Sequence, residues 1–446
     1  MSQRLTLVAT VLGSSLAFID ATVVNVALPT IERDFQLGLA GAQWVVLSYS
    51  LALASLYLLG GALGDRLGRR RIFVIGTIAF ALASAVAGAA PNAAVLLVGR
   101  TLQGVAGALL TPSSLGLLRA TFGNESGRAI GVWSAWTGIA TVAGPPAGGA
   151  LVEWTTWRLI FLVNLPLAAV TVALTWLGRC GERAPETRTG RFDVPGAVLV
   201  ALGLGALTYG LVEAGRSGFD EATVWLSLAA ALVALVAFVA VELRSAEPML
   251  PFELFRRRNF SAANAETFLV YAALTSAFFY VGLYLQTIGF TPFATGLLLA
   301  PPTLILFLLA ARFGRAADRR GPRLLLAVGP ALMAVGMLLF LVLAPGSGWP
   351  AVLPGMLVLG LGLAMTVAPI TATALTSAPD RHSGLAAGIN STISRIGGLI
   401  AVAVVGLVIA VVFDARTDVA GAVALAKDQH GTIADASTDA FRAGIL

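Results

Sequence analysis

The chain has 446 residues, of which 57% are hydrophobic and only 12% charged, with a mean hydropathy of +0.87; this excludes a soluble globular domain. A net charge of +6 would on its own be compatible with nucleic-acid binding, but the placement of the basic residues points to membrane topology instead, with no nucleic-acid partner. The lone cysteine, Cys180, excludes an intramolecular disulfide and a cysteine-based metal cluster, and two distant histidines, His382 and His430, make no metal site.

Apolar stretches long enough to cross a hydrocarbon core of ~30 Å as helices recur along the chain. Thirteen are read, at about 5–31, 42–63, 71–90, 93–121, 128–151, 157–178, 193–213, 222–243, 259–287, 293–311, 323–344, 350–377 and 384–413. The connections between them are too short to hold a folded soluble domain. The first stretch is too long for a cleavable signal peptide and lacks a small-residue cleavage site. The pattern predicts an all-α polytopic membrane protein.

With the N-terminus placed in the cytoplasm, 21 Lys and Arg residues fall in inner connections and 6 in outer ones, while Arg100 and Arg395 lie within spans. This bias follows the positive-inside rule and sets the orientation.

The chain repeats itself. GALGDRLGRR (61–70) and GRAADRRGPR (314–323) share Gly61/Gly314, Asp65/Asp318, Arg66/Arg319, Gly68/Gly321 and Arg70/Arg323 at identical spacing. A second pair aligns 112–131 with 369–388, matching Ser126-Gly127 to Ser383-Gly384. The near-constant offset predicts two homologous halves, 1–179 and 259–446, separated by a two-span insert at 180–258. The second half shows five spans where the first shows six. The chain stops at DAFRAGIL (439–446), where a fourteenth span is expected, so a truncation is read here. Leu446 is then expected outside the cytoplasm after the 414–440 segment, and the second bundle is expected to lack its sixth helix.

These residues resemble the major facilitator superfamily, and within it the fourteen-span drug:proton antiporters. GGALGDRLGRRR resembles the family's loop between the second and third helices. LLVGRTLQGVAGALLTPSSL is similar to its fourth-helix pattern, with Arg100, Gln103 and Gly104 in place. GIATVAGPPAGGAL resembles the fifth-helix antiporter signature through Gly144, Pro145, Gly148 and Gly149, with Ala140 replacing an upstream glycine. FIDATVVNVALP is similar to the first-helix pattern of the fourteen-span branch. The resemblance covers 5–413 and implies two pseudo-symmetric helix bundles with two extra helices between them. It also implies alternating access and proton-coupled efflux of hydrophobic, cationic drugs across a bacterial inner membrane. The branch also exports lipids, siderophores and amino acids, and a non-transporting receptor or scaffold remains the alternative of another class. The expected partners are such substrates, protons and the lipid bilayer, acting on a monomer without a cofactor.

An ionisable side chain inside a membrane span is costly, so it marks a cavity or a partner. Asp20 lies about 22 Å from the inner end of its span and Arg100 about 10 Å from the outer end of its own. The resemblance implies that these helices adjoin, so the two residues are expected to alternate between an ion pair and a protonated acid, or to form a purely structural pair. Glu266, about 10 Å into the ninth span, is read as a second proton site, an anchor for cations, or a carboxylate reaching the inner interface. Arg395 is read as packing beside a helix interface, with a part in transport as the alternative. Asn25, Tyr49, Gln103 and Tyr271 are candidate substrate contacts among the cavity-facing polar and aromatic residues. Asp65, Arg66, Arg70, Asp318 and Arg319 are candidate gating residues, with Asp65 expected against the helix start near Gly384 and Asp318 against the one near Gly127. There is no Gly-Lys for a Walker loop and no Gly-x-Ser-x-Gly elbow, so neither ATP hydrolysis nor acyl transfer is expected of this chain.

Overall fold

In a hydrocarbon core every backbone N–H and C=O must be bonded internally, and this chain meets that demand with helices alone. The computed structural model describes residues 2–178, 193–245, 248, 250–379, 383–417, 419, 422–426, 429 and 431–446. Among them the helices are α1 (Ser2–Phe35), α2 (Gly38–Leu67), α3 (Arg69–Gly88), α4 (Ala93–Phe122), α5 (Ser126–Trp154), α6 (Leu159–Leu162), α7 (Asn164–Gly178) and α8 (Val194–Ser217). They continue with α9 (Ala222–Arg244), α10 (Arg258–Thr287), α11 (Pro292–Arg320), α12 (Arg323–Leu338), α13 (Trp349–Thr376), α14 (Ser383–Asp414) and α15 (Thr432–Ile445). Side chains close several exposed ends: Asn92 accepts from the Val95 N–H at 3.0 Å, and Asp193 from the Gly196 N–H at 2.8 Å.

The pairing of helices repeats. α4 packs on α2 and α3, and α13 packs in the same way on α11 and α12; α1 packs on α5 as α10 packs on α14. Two bundles related by pseudo-symmetry result, and they meet along two seams, α5 against α11 and α2 against α14. Small residues make these approaches possible. A Cβ on Gly60 would run into the Ala108 carbonyl, and one on Gly104 into that of Tyr49, which holds α2 against α4. The duplicated loops share their backbone as well as their sequence: Gly68 turns α2 into α3 at φ 98°, and Gly321 turns α11 into α12 at φ 82°. Both lie in the left-handed region that favours glycine.

α8 lies across the α2–α14 seam, with Gly205 facing Leu51 and Gly215 facing Leu407. α9 packs on α8 through Leu228 and Leu235 and otherwise presents an apolar outer surface.

One sequence expectation needs adjustment. Twelve described helices, not thirteen, are long and apolar enough to cross a membrane, and α5 is not among them. Serines, threonines, glycines and Pro145-Pro146 dilute its hydropathy, and α5 can carry them because it is held between α1 and α11. The spans read at 157–178 and 323–344 are found as single apolar stretches, Leu159–Gly178 and Arg323–Val342. The first has a turn at Val163 between α6 and α7, where the Val163 N–H still bonds the Leu159 carbonyl at 3.0 Å, and the second ends in a 3-10 turn, Leu339–Val342. Within the 414–440 segment α15 begins at Thr432. Its Phe441 ring stacks on Tyr284 at 4.0 Å, and the Tyr284 hydroxyl bonds Thr438 at 2.9 Å. Cys180, His382, Lys427 and His430 lie outside the described residues.

Candidate functional site

α1 and α4 cross with Asp20 facing Arg100. The Arg100 guanidinium donates to Asp20 Oδ2 at 2.5 Å, to Gln103 Oε1 at 2.8 Å and to the Val45 carbonyl at 3.0 Å. Gln103 Nε2 donates to Asp20 Oδ1 at 2.9 Å and to Ser84 Oγ at 2.8 Å. Asn164 Nδ2 adds longer bonds to Asp20 Oδ1 at 3.4 Å and to Ser84 Oγ at 3.2 Å. All five side chains are buried. The guanidinium also lies over the rings of Tyr49, 4.5 Å from the centroid, and Phe161, 5.6 Å away. Helix geometry explains the grouping: Arg100 and Gln103 are three residues apart and share one face of α4. Asn164, in the first turn of α7, places its amide against Asp20 of α1 and Ser84 of α3. An enclosed ion pair whose lone pairs are this fully used is stable only while every partner is present.

The structure thus brings Asp20, Arg100 and Gln103 together, with Tyr49 alongside. Ser84 and Asn164 were not legible in the sequence, since a serine and an asparagine in apolar stretches resemble many others in such helices. Their one available signal was polarity inside a span.

In the second bundle, Glu266 is half-buried, and its Oε1 is enclosed without a hydrogen-bond partner. Near it in sequence, Asn390 Nδ2 bonds Asn264 Oδ1 at 3.1 Å and Thr267 Oγ1 at 2.8 Å, tying α14 to α10. The structure does not join Glu266 to the Asp20 network. Asn25 is buried with Oδ1 unbonded. Tyr271 is half-buried on α10, and Arg395 on α14 lies over the Tyr57 ring at 4.7 Å. Tyr280 is a structural residue: its hydroxyl, with Gln43, caps the Val402 carbonyl across the α2–α14 seam.

The α5–α11 seam differs between its two ends, while α2 and α14 stay in contact at Leu58 and Gly388 in the basic half. At the end opposite the loops at 66–71 and 312–323, α5 and α11 are in close contact. A Cβ on Gly149 would run into Pro292, and one on Gly296 into Pro145. Gly144 and Gly148 face the other way and meet Thr22 and Val23 of α1. The four signature residues therefore fit α5 between α1 and α11. Glu153 Oε2 accepts from the Phe293 N–H at 2.9 Å, a contact that sequence reasoning missed. At mid-seam Gly138 faces Phe307, but toward the basic end a side chain on Gly131 or Gly127 would meet no atom within 4 Å. The far end is closed, and the α5–α11 seam opens toward the basic end.

The gating candidates sit at that basic end. Asp65 bonds Arg69 of the next helix at 2.9 Å, and Arg69 reaches the Gly116 carbonyl at 3.1 Å, so this carboxylate ties α2, α3 and α4 together. Part of the expected partner segment near Gly384 lies outside the described residues. Arg70 donates to the Trp176 carbonyl at 3.4 Å. Arg66 lies on the last turn of α2. Asp318 and Arg319 are exposed, and Asp318 does not reach the open surface at Gly127 in this conformation. No group of three or more His, Cys, Asp or Glu side chains among the described residues is placed to hold a metal.

Comparison with known proteins agrees with this architecture. The family model of the Major Facilitator Superfamily matches residues 10–402. The chain is 38% identical, over 92% of its length and 76% of the relative's, to multidrug resistance protein Stp of Mycobacterium tuberculosis. It is 36% identical to the tetracenomycin C resistance and export protein of Streptomyces glaucescens, over 91% of this chain and 76% of that one. It is 33% identical to the multidrug efflux pump LfrA of Mycolicibacterium smegmatis, over 94% of this chain and 82% of that one. Its fold matches the crystal structure of a bacterial homologue of the human lysosomal transporter Spinster, in an inward-facing and unoccupied conformation. That match has a TM-score of 0.71 over 100% of this chain and 93% of the other, at 16% identity, a likeness of fold alone. The apolar helices, the duplicated bundles and these matches together identify the chain as a multi-pass membrane transporter that belongs to the Major Facilitator Superfamily.

Proposed function

We propose that this chain exports small hydrophobic drug-like compounds, cationic ones among them, across a bacterial inner membrane in exchange for protons. The carrying observation is the enclosed Asp20–Arg100–Gln103–Asn164–Ser84 network. Ionised Asp20 accepts from three side chains on two other helices, α4 and α7. Protonation removes its charge and weakens its hold on the Arg100 guanidinium, which keeps Gln103 and the Val45 carbonyl as acceptors. The packing of α1 against α4 and α7 is thereby linked to one proton. The efflux and resistance functions in the relatives' names support the direction and the substrate class.

In this reading the halves 1–179 and 259–446 rock against each other with α8 of the insert between them lying over one seam, the N-terminus is cytoplasmic, and one chain suffices. The basic end is the cytoplasmic end, so the structure is the inward-open member of the cycle. Glu266 faces the cationic part of a substrate with its unbonded oxygen. Asp65 with Arg66 and Arg70, and Asp318 with Arg319, act at the inner gate. The test is dye extrusion from proteoliposomes with an imposed proton gradient. Extrusion that collapses with a protonophore is expected, and extrusion that persists at the same rate without a gradient overturns antiport.

A further inference from the structure

Two intramembrane arginines stand in opposite situations. Arg100 has three acceptors: a carboxylate, an amide and a backbone carbonyl. Arg395, by contrast, lies within the apolar span Leu385–Asp414, half-buried, with Nε enclosed and without an acceptor. Thr392, one turn earlier and on the same side of α14, also has an enclosed hydroxyl without a partner. Beneath the guanidinium is the Tyr57 ring, 4.7 Å away. Tyr57 belongs to α2 of the first bundle and Arg395 to α14 of the second, so Arg395 faces the ground between the two bundles instead of lipid.

A charged donor enclosed at this depth without an acceptor is unfavourable. Packing beside a helix interface, the first sequence reading of Arg395, does not account for the unbonded Nε. A planar fork of N–H donors over an aromatic ring is suited to a carboxylate, which takes two parallel bonds.

We propose that Arg395, with Thr392 beside it, is the binding point for a carboxylate carried by the exported compound. The inference rests on the export reading and narrows its substrate class. Compounds bearing both an acid and a cationic or apolar body are substrates, not lipophilic cations alone. Tyr57 stacks under the ion pair, and Glu266 on α10 is available to the opposite charge.

The experiment uses the full chain, purified in detergent, and two probes: a rhodamine with a free carboxylate and the methyl ester of the same dye. Binding is read by fluorescence polarisation as the ratio of acid to ester affinity. Arg395→Gln is expected to lower that ratio about tenfold, and Arg395→Lys, which keeps the charge but not the fork, to lower it less. If Arg395→Gln does not elute as a folded protein, the ratio in Arg395→Lys decides by itself. An unchanged ratio, or equal loss of both dyes, overturns the site. Dye extrusion is measured in parallel in proteoliposomes. Gradient-driven extrusion with a ratio insensitive to Arg395 leaves export standing and removes this inference. Arg395-dependent acid binding without any extrusion leaves the site standing and removes the export reading.

Discussion

Glu153 on α5 accepts a hydrogen bond from the backbone N–H of Phe293 on α11, at 2.9 Å, across the seam between the two bundles. Phe293 is in the first turn of α11, where helix N–H groups have no intrahelical partner and the macrodipole favours an anion. The neighbouring Trp154 and Phe293 rings lie 5.1 Å apart, and Gly149 meets Pro292 on the same turn. The contact exists only while the far end is closed, so it biases the conformational equilibrium toward the state seen here.

Glu153→Gln should therefore open the far end more often. A hydrogen bond to a charged group is worth ~1.5–3 kcal/mol, and the amide retains part of it, so a shift of about tenfold toward far-end opening is expected. Distances between spin labels on the far ends of α5 and α11 measure it. An unchanged distance distribution would show that packing alone holds this end.

Asp20→Asn should remove the pH dependence of transport. It should also destabilise the protein, because breaking an enclosed ion pair strands the other charge at a cost of ~3–5 kcal/mol. The double variant Asp20→Asn with Arg100→Gln should recover much of the thermal stability in detergent without recovering proton-coupled transport. Recovery of both would reduce the pair to a structural element.

Glu266→Gln should weaken binding of a lipophilic cation more than that of a neutral compound of the same size, since a single unbonded carboxylate oxygen carries the proposed contact. Titration of both compounds against purified protein separates the outcomes. Equal weakening would assign Glu266 a structural or proton role.

The α5 glycines should differ by position. Gly149→Ala places a methyl group against Pro292 and should separate the seam, lowering the far-end-closed population and slowing transport. Gly131→Ala meets no atom within 4 Å in this conformation, so its effect on the stability of this state should stay within about 0.5 kcal/mol. Comparable defects in both would mean that the whole seam closes during the cycle, with the basic end as tight as the far end.

The sequence by itself determined the solvent, the all-helical class and the duplication. Hydropathy over a membrane-length window is a local property, and so is the requirement for glycine at the left-handed turns of Gly68 and Gly321. It also singled out Asp20 and Arg100, because a charge inside an apolar run is conspicuous without any structure. The tertiary structure alone decided which polar side chains share a space. Asn164 joins Asp20 because α7 packs against α1, and Glu153 meets Phe293 because two segments 140 residues apart form one seam. Arg395 and Arg100 look alike in the sequence, each a lone arginine in an apolar span. Only packing separates them, since a charge is satisfied or stranded by the atoms that long-range folding brings within about 3 Å, and no local pattern encodes those.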